Sequence, residues 1–133
     1  MRTHVEETPN ACKLLPIPGA DASPACRMVR NVAVIDLRGP LNEELAVHAL
    51  YDTIRELREE GAGNFAINLA QVPGWDSYTL GALAGAYNLV RQIGGRIRFF
   101  AAPERLLRAF RKFHLDSVLE LYANEASALF NSY

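Results

Sequence analysis

Short apolar runs alternate along this sequence with longer stretches in which apolar residues recur every three or four positions. Runs such as Val32–Leu37 are rich in β-branched residues and end in turn-forming residues, which is the pattern of buried strands. The sequence therefore predicts five strands, at Cys26–Val29, Val32–Leu37, Asn64–Leu69, Arg96–Ala101 and Ser117–Tyr122.

The longer stretches have the period of amphipathic helices. In the first of them, Ala46, Leu50, Ile54 and Leu57 form one apolar stripe, and charged residues occupy the remaining positions. Residues that suit the first turn of a helix precede each stretch. Four helices are predicted, beginning near Asn42, Asp76, Pro103 and Asn124.

The order of these elements predicts an α/β fold. Strands that alternate with helices are joined by right-handed crossovers, so we expect a mixed, mostly parallel sheet packed with about four helices. The first two strands, joined by a tight turn, should pair antiparallel. We expect one small domain over residues 26–133. Residues 1–25 hold four of the seven prolines and no amphipathic period, and they are predicted to form a flexible N-terminal arm.

Composition excludes several classes of function. The 133 residues carry 14 Lys and Arg against 15 Asp and Glu, so no overall positive field attracts nucleic acid or anionic membranes. No apolar run reaches the roughly 18 residues of a membrane span, and the first residues lack the apolar centre of a secretory signal. The two cysteines match no zinc spacing. We therefore expect a cytoplasmic protein without a metal or other cofactor.

Signals of catalysis are weak. Gly61-Ala62-Gly63 follows a predicted helix, whereas a dinucleotide-binding fingerprint follows a strand. Ser77, His114 and Asp116 supply the residue types of a hydrolase triad, but the sequence around Ser77 lacks the glycines of a nucleophile elbow. We expect that the chain is not an enzyme, and a small hydrolase that uses Ser77 is the minor hypothesis.

A basic face is predicted on the third helix, where Arg105, Arg108, Arg111 and Lys112 are three or four residues apart. Such a face either contacts phosphate or an acidic partner, or is simply solvated. The sequence alone favours the solvated face.

The segment Val72–Leu83 carries the strongest indication of function. A buried strand ends, the chain turns at Pro73-Gly74, and Asp76-Ser77 begins a helix whose first N–H groups favour negative charge. In one interpretation, Asp76 or Ser77 only caps the helix. In the other, Ser77 is a phosphoacceptor whose phosphoryl group adds about two negative charges at this helix end.

Four landmarks follow one another along the chain. They are the strand end Arg38-Gly39-Pro40-Leu41-Asn42, the strand Asn64–Leu69, Asp76-Ser77 before Leu80-Gly81, and Arg91-Gln92-Ile93-Gly94-Gly95. With these landmarks in this order, the chain resembles the STAS family from about Val32 to Leu129. That family includes bacterial anti-sigma-factor antagonists and domains of sulfate transporters and stressosomes.

The resemblance implies a protein-binding switch. In the family, a partner kinase phosphorylates the serine that directly follows the aspartate, which is Ser77 here. The unphosphorylated protein binds an anti-sigma factor that is itself a serine kinase, phosphorylation releases it, and a phosphatase resets the protein. We expect a partner surface around Ser77 in which Trp75 and Tyr78 are aromatic anchors. The alternative for Trp75 is burial under the loop that precedes the helix. Its predicted members are Asn42, Trp75, Asp76, Tyr78, Thr79 and Gly81.

Two departures from the family pattern leave an alternative open. Tyr78 and Thr79 stand where the family has a small residue and glycine, and Asn42 replaces a common acid. The alternative is a non-phosphorylated STAS scaffold, or an accessory subunit of a stressosome-like or transport complex. Whether the protein forms a homodimer through a sheet edge also stays open.

Overall fold

The computed structural model describes residues 25–38, 41, 44–73 and 76–130. The predicted N-terminal arm lies outside this part of the chain, apart from Ala25. The strands are β1 (Ala25–Val29), β2 (Val32–Arg38), β3 (Asn64–Gln71), β4 (Arg96–Phe100) and β5 (Leu121–Tyr122). The helices are α1 (Glu44–Glu59), α2 (Ser77–Gln92), α3 (Glu104–Lys112) and α4 (Glu125–Phe130).

The five strands form one sheet in the order β1-β2-β3-β4-β5. β1 pairs antiparallel with β2, and every later pair is parallel. Arg30 and Asn31, which join β1 to β2, have φ angles of 52° and 73°, as the two central residues of a type I′ hairpin turn require. The prediction of a single small α/β domain with a mixed, mostly parallel sheet and four helices is confirmed.

Alternate residues of each strand face two different cores. The larger core lies between the sheet and α1, α2 and α3, and the smaller core lies between the sheet and α4. Because successive parallel strands are neighbours, their right-handed crossovers place α1, α2 and α3 on the same side of the sheet. Ile35, Ile67 and Phe99 face the larger core, and Val34, Ala66 and Phe100 face the smaller one.

One predicted strand is wrong over most of its length. The segment Ser117–Tyr122 contributes only the two residues of β5, and a short 3-10 helix covers Leu115–Ser117. His114 ends the preceding turn in the left-handed region, with a φ of 62°, and its carbonyl accepts a hydrogen bond from Ser117 Oγ at 2.9 Å. Leu119 then inserts into the core. The local turn therefore uses the residues that would have begun a longer strand.

The caps and contacts of the helices fix their positions. Asn124 caps α4 as predicted, because its Oδ1 accepts a hydrogen bond from Ser127 N at 2.8 Å. α1 and α2 approach closely where Tyr51 donates a hydrogen bond from its hydroxyl to the carbonyl of Ala82 at 2.7 Å. Gly85 faces the same hydroxyl, which occupies the position that a Cβ atom would take. The absence of a side chain at Gly85 therefore allows α1 and α2 to pack closely.

Candidate functional site

The candidate site lies at the edge of the sheet where the parallel strands β2, β3 and β4 end. α2 and α3 both begin at this edge, because each follows the carboxyl end of a strand. In open α/β sheets, this edge is where ligands are usually found. Ser77 is the first residue of α2, so the topology brings the predicted phosphoacceptor to this edge.

Asp76 is the N-cap of α2. It has extended backbone angles, and its Oδ1 accepts a hydrogen bond from the backbone N–H of Thr79 at 2.9 Å. This hydrogen bond stabilises the charged carboxylate and lowers the pKa of Asp76 below its ordinary value. Of the two residues that the sequence offered as a cap, the structure assigns the role to Asp76.

Ser77 is consequently not needed to cap the helix. Its side chain is exposed, and within residues 25–38, 41, 44–73 and 76–130 its hydroxyl makes no hydrogen bond. The hydroxyl stands at the positive end of a helix of 16 residues, where an added negative charge is favoured. The local fold therefore leaves the Ser77 side chain exposed and does not use its hydroxyl.

The other predicted site residues separate into exposed and buried positions. Tyr78 is 48 % exposed, and at Gly81, one turn after Ser77, a Cβ would meet open space beyond the backbone of its own helix. Thr79 is completely buried, so its side chain cannot contact a partner in this conformation. Its neighbour Leu80 is buried as well, in the larger core, so this side of α2 is turned away from solvent. Asn42 and Trp75 lie outside the described residues.

Beside Ser77 the surface forms a cleft of about 480 Å³, which we call the α2–α3 cleft. One stripe of α3 lines it, made of residues at positions i, i+3, i+4 and i+7. The lining residues are Ser77, Arg105, Arg108, Ala109, Lys112 and Phe113. The sequence predicted both the basic helix and the phosphoacceptor but not their proximity, which follows from two neighbouring crossovers on the same side of the sheet.

The cations of this cleft have little compensating negative charge. Arg108 Nε lies 3.4 Å from Glu104 Oε2, in an ion pair whose two side chains are largely exposed. In the described part of the chain, Arg105 and Lys112 form no ion pair with a carboxylate. The Lys112 ammonium lies 6.0 Å from the centre of the Phe113 ring. The cleft is therefore a positively charged surface open to an anion.

A second cleft, of about 420 Å³, lies where β3 ends and α3 begins. It is lined by residues 70–73 and 103–106. Arg105 lines both clefts and so connects them along one side of the site.

The minor hydrolase hypothesis gains no support from the geometry. Ser77 and His114 share no hydrogen bond in the structure as described, and His114 and Asp116 are both exposed. Over the same residues, no group of three or more His, Cys, Asp or Glu side chains is placed to hold a metal ion. None of the described helices is both long enough and apolar enough to span a membrane.

The STAS domain family model matches residues 23–128, which is most of the sequence. The chain belongs to the STAS domain family. Its core elements, from β1 to α4, all fall within or at the edge of that match.

Three solved relatives have the same fold. A protein of Thermotoga maritima described as a candidate anti-sigma factor antagonist superposes with a TM-score of 0.71 at 19% identity, covering 90% of this chain and 95% of its own. An anti-sigma factor antagonist of Mycobacterium paratuberculosis gives 0.68 at 22% identity, with coverages of 86% and 96%. The anti-sigma factor antagonist SpoIIAA in its unphosphorylated form gives 0.64 at 22% identity, with coverages of 80% and 92%. At these identities, the comparisons show the shared fold.

Proposed function

We propose that this chain is a non-enzymatic, protein-binding regulator of the anti-sigma-factor-antagonist type, switched by phosphorylation of Ser77. The observation that carries the proposal is the exposed Ser77 hydroxyl, which the fold does not use because Asp76 caps the helix. The relative SpoIIAA has been solved in unphosphorylated and phosphorylated forms, which supports the same kind of switch on this fold.

In the proposed cycle, the unphosphorylated chain binds an anti-sigma factor that is also a serine kinase, and a sigma factor is thereby freed in the cytoplasm. The kinase then transfers the γ-phosphoryl group of ATP to Ser77. The bond between that phosphorus and the bridging oxygen of ADP breaks, a bond from phosphorus to Ser77 Oγ forms, and a base of the kinase takes the hydroxyl proton. A phosphatase later hydrolyses the phosphoserine.

Phosphorylation weakens the complex for an electrostatic reason. The phosphoryl group adds about two negative charges at the centre of the contact surface. A partner surface that fits the neutral hydroxyl has no cation placed to receive this charge, and burying the charge against such a surface costs several kcal/mol. Since the group is attached to the first turn of α2, it is compatible with the helix dipole and leaves the domain folded.

The proposed partner surface surrounds Ser77. Tyr78 supplies an exposed aromatic ring, and Gly81 supplies an open patch on the next turn of α2. Asp76 is exposed beside them. Trp75 and Asn42 remain proposed members of the same surface, and Thr79 is left out because it is buried.

The modification is tested by incubating the protein with ATP and a panel of candidate anti-sigma factor kinases, followed by mass spectrometry of the peptides. We expect one phosphoryl group, on Ser77. Ser117→Ala is the matched control, because Ser117 is also exposed but its hydroxyl is bound to the His114 carbonyl. Modification that persists in Ser77→Ala would contradict the proposal.

The switch is tested by measuring the affinity of the kinase partner for three variants. Ser77→Ala should bind about as well as the unmodified protein, and Ser77→Asp should bind at least about tenfold more weakly, which corresponds to about 1.4 kcal/mol. Ser117→Asp adds the same charge elsewhere and should leave the affinity unchanged. Equal affinities for Ser77→Ala and Ser77→Asp would overturn the switch.

One observation favours a second function, that of a non-phosphorylated scaffold. Tyr78, which directly follows Ser77, has an exposed ring. In this second proposal the ring obstructs the approach of a kinase to the Ser77 hydroxyl. In that case Tyr78→Gly should permit phosphorylation by kinases that do not modify the natural sequence. An identical kinase response in both proteins would remove this reason for the scaffold.

A further inference from the structure

We propose that the phosphoryl group of phosphoserine 77 is bound within the same chain by Arg105 and Arg108 of α3, with Lys112 adding positive charge. This inference rests on the proposed phosphorylation of Ser77 and concerns what happens to the modified side chain. It gives the basic face of α3 a specific ligand, a phosphate monoester dianion.

The first support is placement. Ser77 and the basic stripe of α3 line one cleft of about 480 Å³, a volume that accommodates a phosphoryl group and the guanidinium groups around it. Side chains of a helix lean toward its N-terminus. α3 begins at the sheet edge where Ser77 lies, so the long side chains of Arg105 and Arg108 lean toward the phosphoacceptor.

The second support is the balance of charge. The cleft holds three cations, of which Arg105 and Lys112 form no ion pair with a carboxylate among the described residues. Two carboxylates near the cleft carry the opposite charge. Glu104 pairs with Arg108 through exposed side chains at 3.4 Å, and Asp76 precedes Ser77. An exposed pair of this kind adds little to stability, so a dianion displaces Glu104 readily.

The third support is chemical fit. A guanidinium group donates two parallel hydrogen bonds to a phosphate, and such charge-assisted bonds are roughly twice as strong as neutral ones. Two arginines one turn apart on a helix present such forks to the same group. A serine phosphate at the start of α2 therefore meets both a helix N-terminus and a pair of guanidinium groups.

Binding of the phosphoryl group has a regulatory consequence. It neutralises the positive surface of the cleft at the same time as it fills it. A partner that contacts these cations through its own carboxylates loses both the charge and the space. Phosphorylation then acts on the α3 side of the site as well as at Ser77.

The experiment uses the full chain with phosphoserine installed at position 77 during translation, so that no kinase is needed. The second pKa of the phosphoryl group, ordinarily near 6, is measured by ³¹P NMR titration. Nearby cations stabilise the dianion, so Arg105→Gln should raise this pKa by about 0.5 pH unit, and Arg105→Gln with Arg108→Gln should raise it further. Glu104→Gln should lower it, because Arg108 is released from its carboxylate.

Arg111→Gln is the matched control. It removes the same charge from the same helix, but Arg111 does not line the α2–α3 cleft. We expect its phosphoserine pKa to equal that of the unsubstituted phosphoprotein. If Arg105→Gln, the double variant and Arg111→Gln all give the same pKa, the intramolecular contact is wrong.

The two proposals fail in different ways. Installed phosphoserine reports on the contact with α3 whether or not a kinase modifies Ser77. If Arg105→Gln raises the phosphoserine pKa as expected but Ser77→Ala and Ser77→Asp bind the partner equally well, only the switch is overturned. If Arg105→Gln leaves the phosphoserine pKa unchanged but the two affinities differ, only the contact with α3 is overturned.

Discussion

Arginines on the two sides of the sheet have different surroundings. On the side of α4, Arg98 is 1 % exposed, donates a hydrogen bond to the carbonyl of Ala128 at 2.7 Å and lies over the Tyr122 ring. On the side of α3, Arg105 is exposed and lines an open cleft. The first guanidinium holds α4 to the sheet, and the second is available to a ligand. The residue type is the same in both cases, and it is the surrounding contacts of each guanidinium group that distinguish the two roles.

Arg27, on the edge strand β1, is a second arginine on the α4 side whose charge is paired within the fold. It binds Glu125 of α4 at 2.7 Å and Asp36 of β2 at 2.9 Å, and Asn68 donates to the same Asp36 side chain at 2.8 Å. The hydrogen bonds to Glu125 and Asp36 raise the pKa of Arg27 above its ordinary value. The charges of Arg27, Asp36 and Glu125 are thus balanced within the fold. In the α2–α3 cleft, by contrast, positive charge is left without an equal number of paired carboxylates.

Arg98→Met should have the largest effect on stability, because it leaves the buried Ala128 carbonyl without its donor and removes a partner of Glu120. We expect a loss of about 2–4 kcal/mol in the free energy of unfolding, measured by urea denaturation. Arg105→Met is the control and should change it by less than about 0.5 kcal/mol. A comparable loss in both variants would abolish the contrast between the two sides.

Arg27→Gln should have an intermediate effect of about 1–2 kcal/mol, because it breaks two charge-assisted contacts that are only half-buried. High salt should reduce the difference from the natural protein, since the side chain is 41% exposed. A loss independent of salt would mean that Arg27 acts through packing.

The same contrast between structural and available positions is expected within α2. Gly85→Ala forces the Tyr51 hydroxyl from the Ala82 carbonyl, and we expect a net loss of about 1 kcal/mol. Gly81→Ala meets no neighbour and should raise stability by up to about 1 kcal/mol through helix propensity. Adding Tyr51→Phe should relieve part of the Gly85→Ala loss, and an unchanged loss would mean that the contact is not its cause.

The smallest effect is the pH dependence contributed by Asp76. Its pKa is lowered in the folded protein from an ordinary value of 3.8, so its stabilising effect is complete above that value and is lost as the pH falls through the lowered folded-state pKa. Thermal unfolding of Asp76→Ala and the natural protein should therefore differ at neutral pH and converge as the pH falls below the lowered folded-state pKa of Asp76. A difference that stays constant with pH would contradict the assignment of the charged cap.

The sheet and the helices were predictable because their signals are local. Runs such as Val32–Leu37 and the stripe Ala46–Leu57 match β2 and α1 closely. The segment after α3 could not be predicted from local signals, because its conformation depends on the left-handed backbone of His114 and on the insertion of Leu119 into the core. Nor does an arginine in a strand indicate burial, since Arg98 is buried only because α4 offers it a carbonyl.

For the candidate site, the sequence identified the helix start and the serine but not their surroundings. Nothing local to Asp76-Ser77 decides which of them is the cap, whereas the hydrogen bond from Thr79 N does. The burial of Thr79 and the proximity of Arg105 to Ser77 both depend on how α2 and α3 lie against the sheet. Spacing along one helix predicts its faces, but only the topology shows which face meets which neighbour.

The division of labour between Asp76 and Ser77 has an evolutionary consequence. The carboxylate secures the helix start, so the hydroxyl beside it has no part in folding that selection must preserve. Under the proposed switch, a single change at position 77 would abolish or restore the response to phosphorylation while the protein still folds. Copies of one ancestral protein would then be free to diverge into responsive and unresponsive forms without passing through an unstable intermediate.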